Sequence, residues 1–222
     1  MKLVRIAPSL ALIFALVLLG GEVCAEPPDQ TKALGKTYGE WSALWWQWLT
    51  SIPATTNPVS QTGTIDCSLG QKGAVVFLAG TLGGTAVRSC SVPDKAIFFP
   101  LVNSVDFNTP DFLWTVAQKR ENADIVMSLA CNLSASVDGT PTVYNFARVR
   151  AQSPAFSLLA GPDDILGRDP GALDTEAISD GIWVLLPPLS QGTHTLVFSG
   201  ALCSPPGTPF FEVDVTYNLT VY

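Results

Sequence analysis

The chain has 222 residues, of which 47% are hydrophobic, and it carries a formal net charge of −7 at pH 7. An acidic surface repels phosphate groups, so nucleic acid and anionic lipid are excluded as principal partners. The length suits one domain with a sizeable core.

Residues 1–25 have the parts of a secretory signal peptide. Two basic residues precede an apolar run at 10–19, and Ala25 ends a stretch that is suited to cleavage. The run is short for a bilayer span, and the residues before Cys24 match a lipoprotein box poorly, although this cysteine keeps that alternative open. We expect cleavage near Ala25 and a single periplasmic or secreted domain at 26–222, with no membrane span.

The stretch 37–52, TYGEWSALWWQWLTSI, contains four of the six tryptophans and predicts an α-helix. Thr37 and Glu40 have the spacing of a capping box, and Pro53 cannot continue a helix. Apolar residues recur at helical spacing and form one broad stripe, which consists of Trp41, Leu44, Trp45, Trp48, Leu49 and Ile52. We expect this stripe to pack against the rest of the protein.

Trp46 is the one tryptophan of this helix that the apolar stripe does not explain. It lies with Gln47 on the other side of the helix, and Glu40 is a carboxylate of the same segment. Two interpretations stay open, since Trp46 either packs in the core or its rim, or offers a platform on which a sugar or a partner stacks. Trp46, Glu40 and Gln47 are the candidate ligand-binding residues, with Trp114 and Trp183 as further stacking candidates.

Four cysteines follow the predicted signal peptide, namely Cys67, Cys90, Cys131 and Cys203. An even number in an exported protein predicts two disulfides, for which three pairings are possible. We favour Cys67–Cys90, which closes a short loop, and Cys131–Cys203, which joins two predicted strands. The chain has no CxxC pair and a single histidine, so we expect no zinc site.

Apolar runs at 75–79 and 96–102 predict buried strands, with a glycine turn at 80–84 between them. The glycine run lacks the lysine and the following helix of a phosphate-binding loop, so we interpret it as a turn. A short second helix is predicted at 110–123, after the helix-start residues Thr109 and Pro110. Its charged run, Lys119 to Glu121, is expected to form a solvated outer face.

Apolar and polar residues alternate from 125 to 137, as in a half-buried strand. Asp138 and Gly139 then predict a hairpin turn. Because Pro141 follows so closely, we expect a loop longer than two residues before a return strand at 142–150.

The segment 161–181 is acidic, with six carboxylates against the single base Arg168. Calcium binding is one interpretation, but the spacing matches no EF-hand loop, so we favour a solvated loop and no cofactor. A carboxylate pair for glycoside hydrolysis is another hypothesis, with acids drawn from Glu40, Asp106, Asp111 or this segment.

The C-terminal third predicts strands at 181–186, 192–200 and 211–221. His194, the only histidine, shares a strand face with Leu196, which is typical of a hydrogen-bonded core or corner residue. The chain has no GxSxG elbow, so we expect no serine triad.

Several motifs together resemble a family of exported bacterial β-rich proteins of unassigned activity. These are WSALWWQW at 41–48, the GQKG and VFLAG segments around 70–80, RSCSVP at 88–93, IFFP at 97–100, PPLSQGTHTL at 187–196 and VTYNLTV at 215–221. The resemblance implies an exported bacterial protein and brings no catalytic residues. The GTHTL segment also resembles the strand edges of immunoglobulin-like modules, which is an analogy of fold alone.

The predicted fold is mainly β, an antiparallel β-sandwich of jelly-roll or immunoglobulin-like type, with one tryptophan-rich N-terminal helix and a second short helix. The favoured function is an exported, disulfide-stabilised, non-enzymatic binding or structural module of the cell envelope or extracellular space, although enzymatic activity stays open. The alternatives are a carbohydrate-binding protein that uses exposed tryptophans and a glycoside hydrolase. The expected partner is a glycan or an envelope protein.

Overall fold

The structure is a computed structural model that describes residues 32–143 and 145–222. The predicted signal peptide at 1–25 and the lipoprotein alternative at Cys24 lie outside the described residues. Within the described ranges, no helix is long and apolar enough to cross a bilayer.

The described residues form two α-helices, two short 3-10 helices and eleven strands. The helices are α1 (Tyr38–Ser51) and α2 (Val116–Met127), and the 3-10 helices are Pro58–Ser60 and Phe146–Val149. The strands are β1 (Gly63–Thr64), β2 (Val75–Phe77), β3 (Gly84–Val92), β4 (Ala96–Asp106), β5 (Ala130–Val137), β6 (Thr140–Pro141), β7 (Arg150–Gln152), β8 (Phe156–Leu159), β9 (Leu173–Leu186), β10 (Gly192–Cys203) and β11 (Pro209–Val221).

The strands form two sheets. The six-stranded sheet has the order β1-β3-β11-β10-β5-β6, and the five-stranded sheet has the order β2-β4-β9-β7, with β8 paired to β9. The long pairs β10–β11 and β4–β9 are antiparallel, whereas β3 runs parallel to both β1 and β11, and β2 runs parallel to β4. The mainly β, sandwich-like prediction is confirmed. The sheets are mixed rather than purely antiparallel, and their order is not specifically that of a jelly roll or an immunoglobulin domain.

The main core lies between the two sheets. Both sheets contribute large apolar side chains to it, among them Ile97, Phe99, Leu101, Val184, Leu196, Phe198, Val215 and Tyr217. Successive residues of a strand point to opposite faces, so the neighbours of these residues point away from this core.

Helix α1 forms a third layer on the outer face of the five-stranded sheet. Its four tryptophans are each 7% exposed or less, and they pack with Phe77, Phe98 and Trp183 in a second apolar cluster. The Nε1 group of Trp45 donates to the carbonyl of Leu78 at 2.9 Å. Burying such large aromatic side chains is among the strongest contributions that one helix can make to stability, so α1 is fixed to the sheet.

The predicted ends of α1 are confirmed. Thr37 is the N-cap, and its Oγ1 accepts from the backbone N–H of Glu40 at 3.1 Å, while Glu40 Oε2 accepts from the backbone N–H of Thr37 at 2.7 Å. The helix ends at Ser51, one residue before the C-cap Ile52.

Helix α2 lies further along the chain than the predicted 110–123. Its N-cap is Thr115, which forms a capping box with Gln118. Thr109 pairs instead with Phe112 through two backbone hydrogen bonds of 3.1 Å, so the residues around Pro110 form a tight turn. The helix continues to Met127 and takes up the first residues of the predicted strand at 125–137, which begins at Ala130.

The prediction that residues 119–121 form a solvated face is wrong at Lys119, because this side chain is fully buried. Its Nζ contacts Oδ2 of Asp174 at 2.5 Å and donates to the carbonyl of Glu176 at 3.0 Å. A lysine can be buried when a carboxylate balances its charge, as Asp174 does here. The local sequence pattern did not indicate this ion pair, because Asp174 lies far along the chain from Lys119.

The hairpin after β5 has a two-residue turn, which corrects the longer loop that Pro141 suggested. Val137 pairs with Thr140, and the turn residues Asp138 and Gly139 have φ values of 51° and 78°. Such values are typical of a tight hairpin turn, and Pro141 is tolerated because β6 is an edge strand. The return strand predicted at 142–150 is replaced by a 3-10 helix and the short strand β7.

Both predicted disulfides are present. Cys67 pairs with Cys90 at a Cα–Cα distance of 5.8 Å, and Cys131 pairs with Cys203 at 6.1 Å. The first ties the segment after β1 to β3, and the second ties β5 to the end of β10.

Candidate ligand-binding groove

An open groove of about 770 Å³ lies on the face of the six-stranded sheet that points away from the core. Its lining comes from the segment around β1 and from β3, β10 and β11, and comprises Thr64, Ile65, Asp66, Cys67, Ser68, Ser89, Cys90, Ser91, Thr193, His194, Thr195, Asn218, Leu219, Thr220 and Tyr222. We call this feature the polar groove, because most of these side chains carry hydroxyl, amide or carboxylate groups.

Strand pairing places six small polar side chains in two rows on the floor of the groove. The first row runs across β3, β11 and β10 and consists of Ser89, Asn218 and Thr195. The second row lies two residues along each strand and consists of Ser91, Thr220 and Thr193. Their chain neighbours on β11, Tyr217, Leu219 and Val221, point into the main core. The floor residues therefore point to solvent. Neighbouring floor residues are about 4.8 Å apart across the strands and about 6.8 Å apart along each strand.

One side of the groove is formed by residues 64–68. This segment continues the sheet, since Thr64 pairs with Ser89 and the backbone N–H of Ile65 donates to the carbonyl of Ser89 at 3.0 Å. The Cys67–Cys90 disulfide then fixes the segment to β3. The groove is therefore held by covalent and backbone bonds on this side.

Asp66 is the carboxylate that lines the groove. Its Oδ1 accepts from the hydroxyl of Ser68 at 2.6 Å and from the backbone N–H of Ser68 at 2.8 Å. These hydrogen bonds lower the pKa of Asp66 below its usual range, so the group is an anion at neutral pH. Among the described residues that line the groove, none is a lysine or an arginine.

His194 lies between the floor residues Thr193 and Thr195, but its side chain is on the opposite strand face, on the same side as Leu219, where two acceptors hold it. Its Nδ1 lies 2.8 Å from Oδ2 of Asp138, and its Nε2 lies 2.9 Å from the carbonyl oxygen of Ser190. Only the doubly protonated ring can donate to both, and accordingly the Asp138 carboxylate and the Ser190 carbonyl raise the pKa of His194. The predicted hydrogen-bonded corner position agrees with this geometry.

Tyr222 supplies an exposed aromatic ring to the groove. It is 63% exposed, and its backbone is fixed next to β3 because its N–H donates to the carbonyl of Val92 at 3.2 Å. An aromatic ring in this position presents apolar surface beside the polar floor.

The three candidate residues of α1 do not line this groove. Trp46 is only 6% exposed and packs edge-on against Trp45, and within the described chain its Nε1 has no hydrogen-bond partner. Glu40 is part of the capping box, which lowers its pKa through the backbone N–H of Thr37, and Gln47 Nε2 donates to the carbonyl of Ser157 at 2.8 Å. A stacking role for Trp46 would require the ring to leave this packing.

The other tryptophans proposed as platforms also lie apart from the groove lining. Trp183 is fully buried between α1 and the sheet, where its ring stacks on that of Phe98 with centroids 5.2 Å apart. Trp114 is half-buried and contacts Phe112, with ring centroids 4.8 Å apart.

The acidic segment 161–181 divides into a loop and the first part of β9. Its buried carboxylates each pair with a cation, in the ion pairs Asp164–Arg168, Asp174–Lys119 and Asp180–Arg150. Within the described residues, no group of three or more histidine, cysteine, aspartate or glutamate side chains is arranged to hold a metal ion. The segment is therefore largely tied to its surroundings by ion pairs.

Of the other acids considered for hydrolysis, Asp111 is exposed and Asp106 is half-buried. Burial raises the pKa of Asp106, and its Oδ1 accepts from Asn122 at 2.8 Å. A raised pKa is a property of a general acid, but Asp106 lies under α2, which contributes Asn122, and outside the polar groove.

The polar groove was not predicted from the sequence. Its signal was present in the alternation of β11, where Asn218 and Thr220 occupy outward positions. What the sequence did not indicate is that β3 runs parallel to β11, because this pairing brings together residues about 130 positions apart in the chain.

No protein-family model matches the chain, and no curated protein matches it either.

Proposed function

We propose that the protein is an exported, disulfide-stabilised, non-enzymatic binding module of the bacterial cell envelope or extracellular space, and that the polar groove is its ligand site. The observation that carries this proposal is the groove itself, a set of outward polar side chains beside a disulfide-fixed wall. Two disulfides in a β-rich structure are compatible with an extracellular module.

The absence of turnover is part of the proposal, and the state of the acids supports it. The buried carboxylates of the acidic segment are in ion pairs, and the groove contains Asp66 as its one lining carboxylate among the described residues. Glycoside hydrolysis requires two acids that face each other across the substrate. A hydrolase is therefore less well supported than a binding module.

The export part of the proposal is tested by expressing the chain with its own N-terminal segment in a bacterium. We expect the protein in the periplasmic or extracellular fraction, with a mass that corresponds to cleavage near Ala25 and four cysteines that resist alkylation until they are reduced. Retention of the uncleaved chain in the cytoplasm with free thiols would contradict it.

The binding part is tested by sedimentation of the exported protein with envelope material from its source organism. We expect saturable binding that is lost when Asn218 and Thr220 are replaced by alanine. Thr85→Ala is the matched control, because Thr85 is an exposed residue of β3 that does not line the groove. Binding that survives both groove substitutions would place the ligand site elsewhere.

A further inference from the structure

We infer that the ligand of the polar groove is a neutral oligosaccharide. This inference rests on the proposed function and names the class of molecule that the same site recognises.

The hydrogen-bonding groups of the floor suit a ligand that is covered in hydroxyl groups. Five of the six floor side chains are serine or threonine, and the sixth is Asn218. A hydroxyl group donates one hydrogen bond and accepts two, and an amide both donates and accepts. Such a floor can satisfy a ligand whose own groups donate and accept at many points without carrying charge.

The charges around the groove disfavour an anionic ligand. The lining has the anion Asp66 and no lysine or arginine within the described residues, and the ring of His194 is on the opposite strand face, where it contacts Asp138. Phosphate, sulfate and carboxylate groups are recognised by bidentate arginine or by lysine, which this groove lacks. Uronic acids, sulfated sugars and nucleotides are therefore poor candidates.

The shape and the aromatic ring agree with a short saccharide chain. A volume of about 770 Å³ is in the range of small-molecule sites, and the groove is open rather than enclosed. Tyr222 presents an exposed ring to the apolar face of a sugar ring while the floor bonds its hydroxyl groups. The exposed aromatic that the carbohydrate hypothesis requires is thus a tyrosine and not a tryptophan of α1.

A peptide ligand fits this site less well. Extended peptides bind by adding a strand to a sheet edge, where backbone groups are unpaired. Along the groove β11 is paired on both sides, whereas β1 covers β3 only at Arg88 and Ser89, and β5 covers β10 only from Leu196 to Leu202. The open edges lie beside the floor, so a ligand on the floor itself meets outward side chains rather than free backbone groups of β11.

The experiment is a titration of the exported protein with neutral oligosaccharides and with matched anionic ones, monitored by calorimetry and by the NMR signals of the Asn218 side-chain amide. Asn218 is a floor residue, and the Asn218→Ala variant identifies its side-chain amide signals, so these signals report binding directly. We expect neutral sugars to shift these signals and the anionic sugars to leave them unchanged. Tryptophan emission should not change, because none of the described residues that line the groove is a tryptophan.

The variants Thr195→Val and Asn218→Ala each remove one uncharged hydrogen-bonding group, so each is expected to weaken binding by about three- to tenfold. Thr195→Ser should restore the affinity, and Tyr222→Ala should weaken it more than Tyr222→Phe. Thr85→Val is the control on the same sheet face, and urea unfolding verifies that every variant is folded.

The two proposals fail in different ways. If neutral sugars do not bind but the groove variants still abolish binding to envelope material, the ligand class is wrong and the groove remains the site. If a sugar binds with unchanged affinity in the groove variants, or shifts tryptophan emission and not the Asn218 side-chain signals, the groove is not the sugar site.

Discussion

Lys119 carries a positive charge inside the protein, and its environment explains how this is tolerated. Burial alone would raise the pKa of Asp174, but Lys119 and the backbone N–H groups of Asn108 and Glu176 hold it below its usual range. The two side chains form a buried, hydrogen-bonded ion pair, and the loss of either leaves the other uncompensated.

We predict that Lys119→Met lowers the free energy of unfolding by about 3–5 kcal/mol, because Asp174 is then buried without its cation. Adding Asp174→Asn should recover part of this loss, since the amide oxygen can still accept from the backbone. Urea unfolding of both variants measures the effect. Lys72→Met is the control, because Lys72 is exposed. A Lys119→Met variant as stable as the control would contradict the structural role.

His194 gives the protein a dependence on pH at the edge of the groove. Its folded-state pKa is raised above the unfolded value of about 6.5, so its stabilising contribution is fully present below that pH and is lost as the pH rises through the folded pKa. Asp138 has a lowered pKa, mainly because it accepts from the backbone N–H of Thr195, so its contribution is lost only in acid.

We predict that the single histidine titrates in NMR with a pKa above the unfolded value, and that Asp138→Asn lowers this pKa. Asparagine keeps an oxygen for the backbone N–H of Thr195, so the hairpin should stay folded. The stability difference between wild type and this variant should be larger at pH 6 than at pH 8.5. A histidine that titrates below pH 6.5 in the wild type would show that the ion pair does not form in solution.

At the scale of elements, α1 shows what a local pattern can predict. Its start follows from Thr37 and Glu40, its end from Pro53, and its buried stripe from the tryptophan spacing. The position of α2 was predicted wrongly because two helix-start patterns lie close together. The helix begins after Thr115, which forms a complete capping box. Thr109 is engaged in a backbone turn with Phe112, which its sequence pattern does not distinguish from an N-cap.

The capping box of α1 allows the structural role of Glu40 to be separated from a ligand-binding role. We predict that Thr37→Ala lowers the free energy of unfolding by about 1 kcal/mol, whereas Glu40→Gln changes it little, because glutamine also completes a capping box. Urea unfolding measures stability, and envelope sedimentation measures binding. If Glu40→Gln abolished binding at unchanged stability, the ligand site would lie at α1.

At the scale of the whole molecule, the mainly β fold and the α1 layer were predictable from the sequence, and the disulfide pairing is the one favoured among the three that the sequence allows. The mixed sheets were not, because the parallel pairing of β3 with β11 depends on contacts between distant segments rather than on strand periodicity. The groove depends on that same pairing, and of its strands only β10 and β11 were predicted, since no strand was predicted at β1 or β3. Lys119 was missed for a related reason, since Asp174 reaches it through the tertiary fold.

The arrangement of layers separates the two faces of the protein. The aromatic cluster around α1 covers the outer face of the five-stranded sheet, and the polar groove lies on the outer face of the six-stranded sheet, with the main core between them. Changes in the groove can therefore be made without disturbing the packing that holds α1.

Filling the groove and measuring binding to envelope material tests most directly whether the polar groove is the ligand site. Thr220→Trp places a large ring on the floor, and Thr85→Trp places the same ring on the same sheet face outside the groove. We predict that Thr220→Trp abolishes saturable sedimentation while Thr85→Trp binds as the wild type does, with both variants equally stable in urea. Equal binding by the two variants would contradict the assignment of the polar groove as the ligand site.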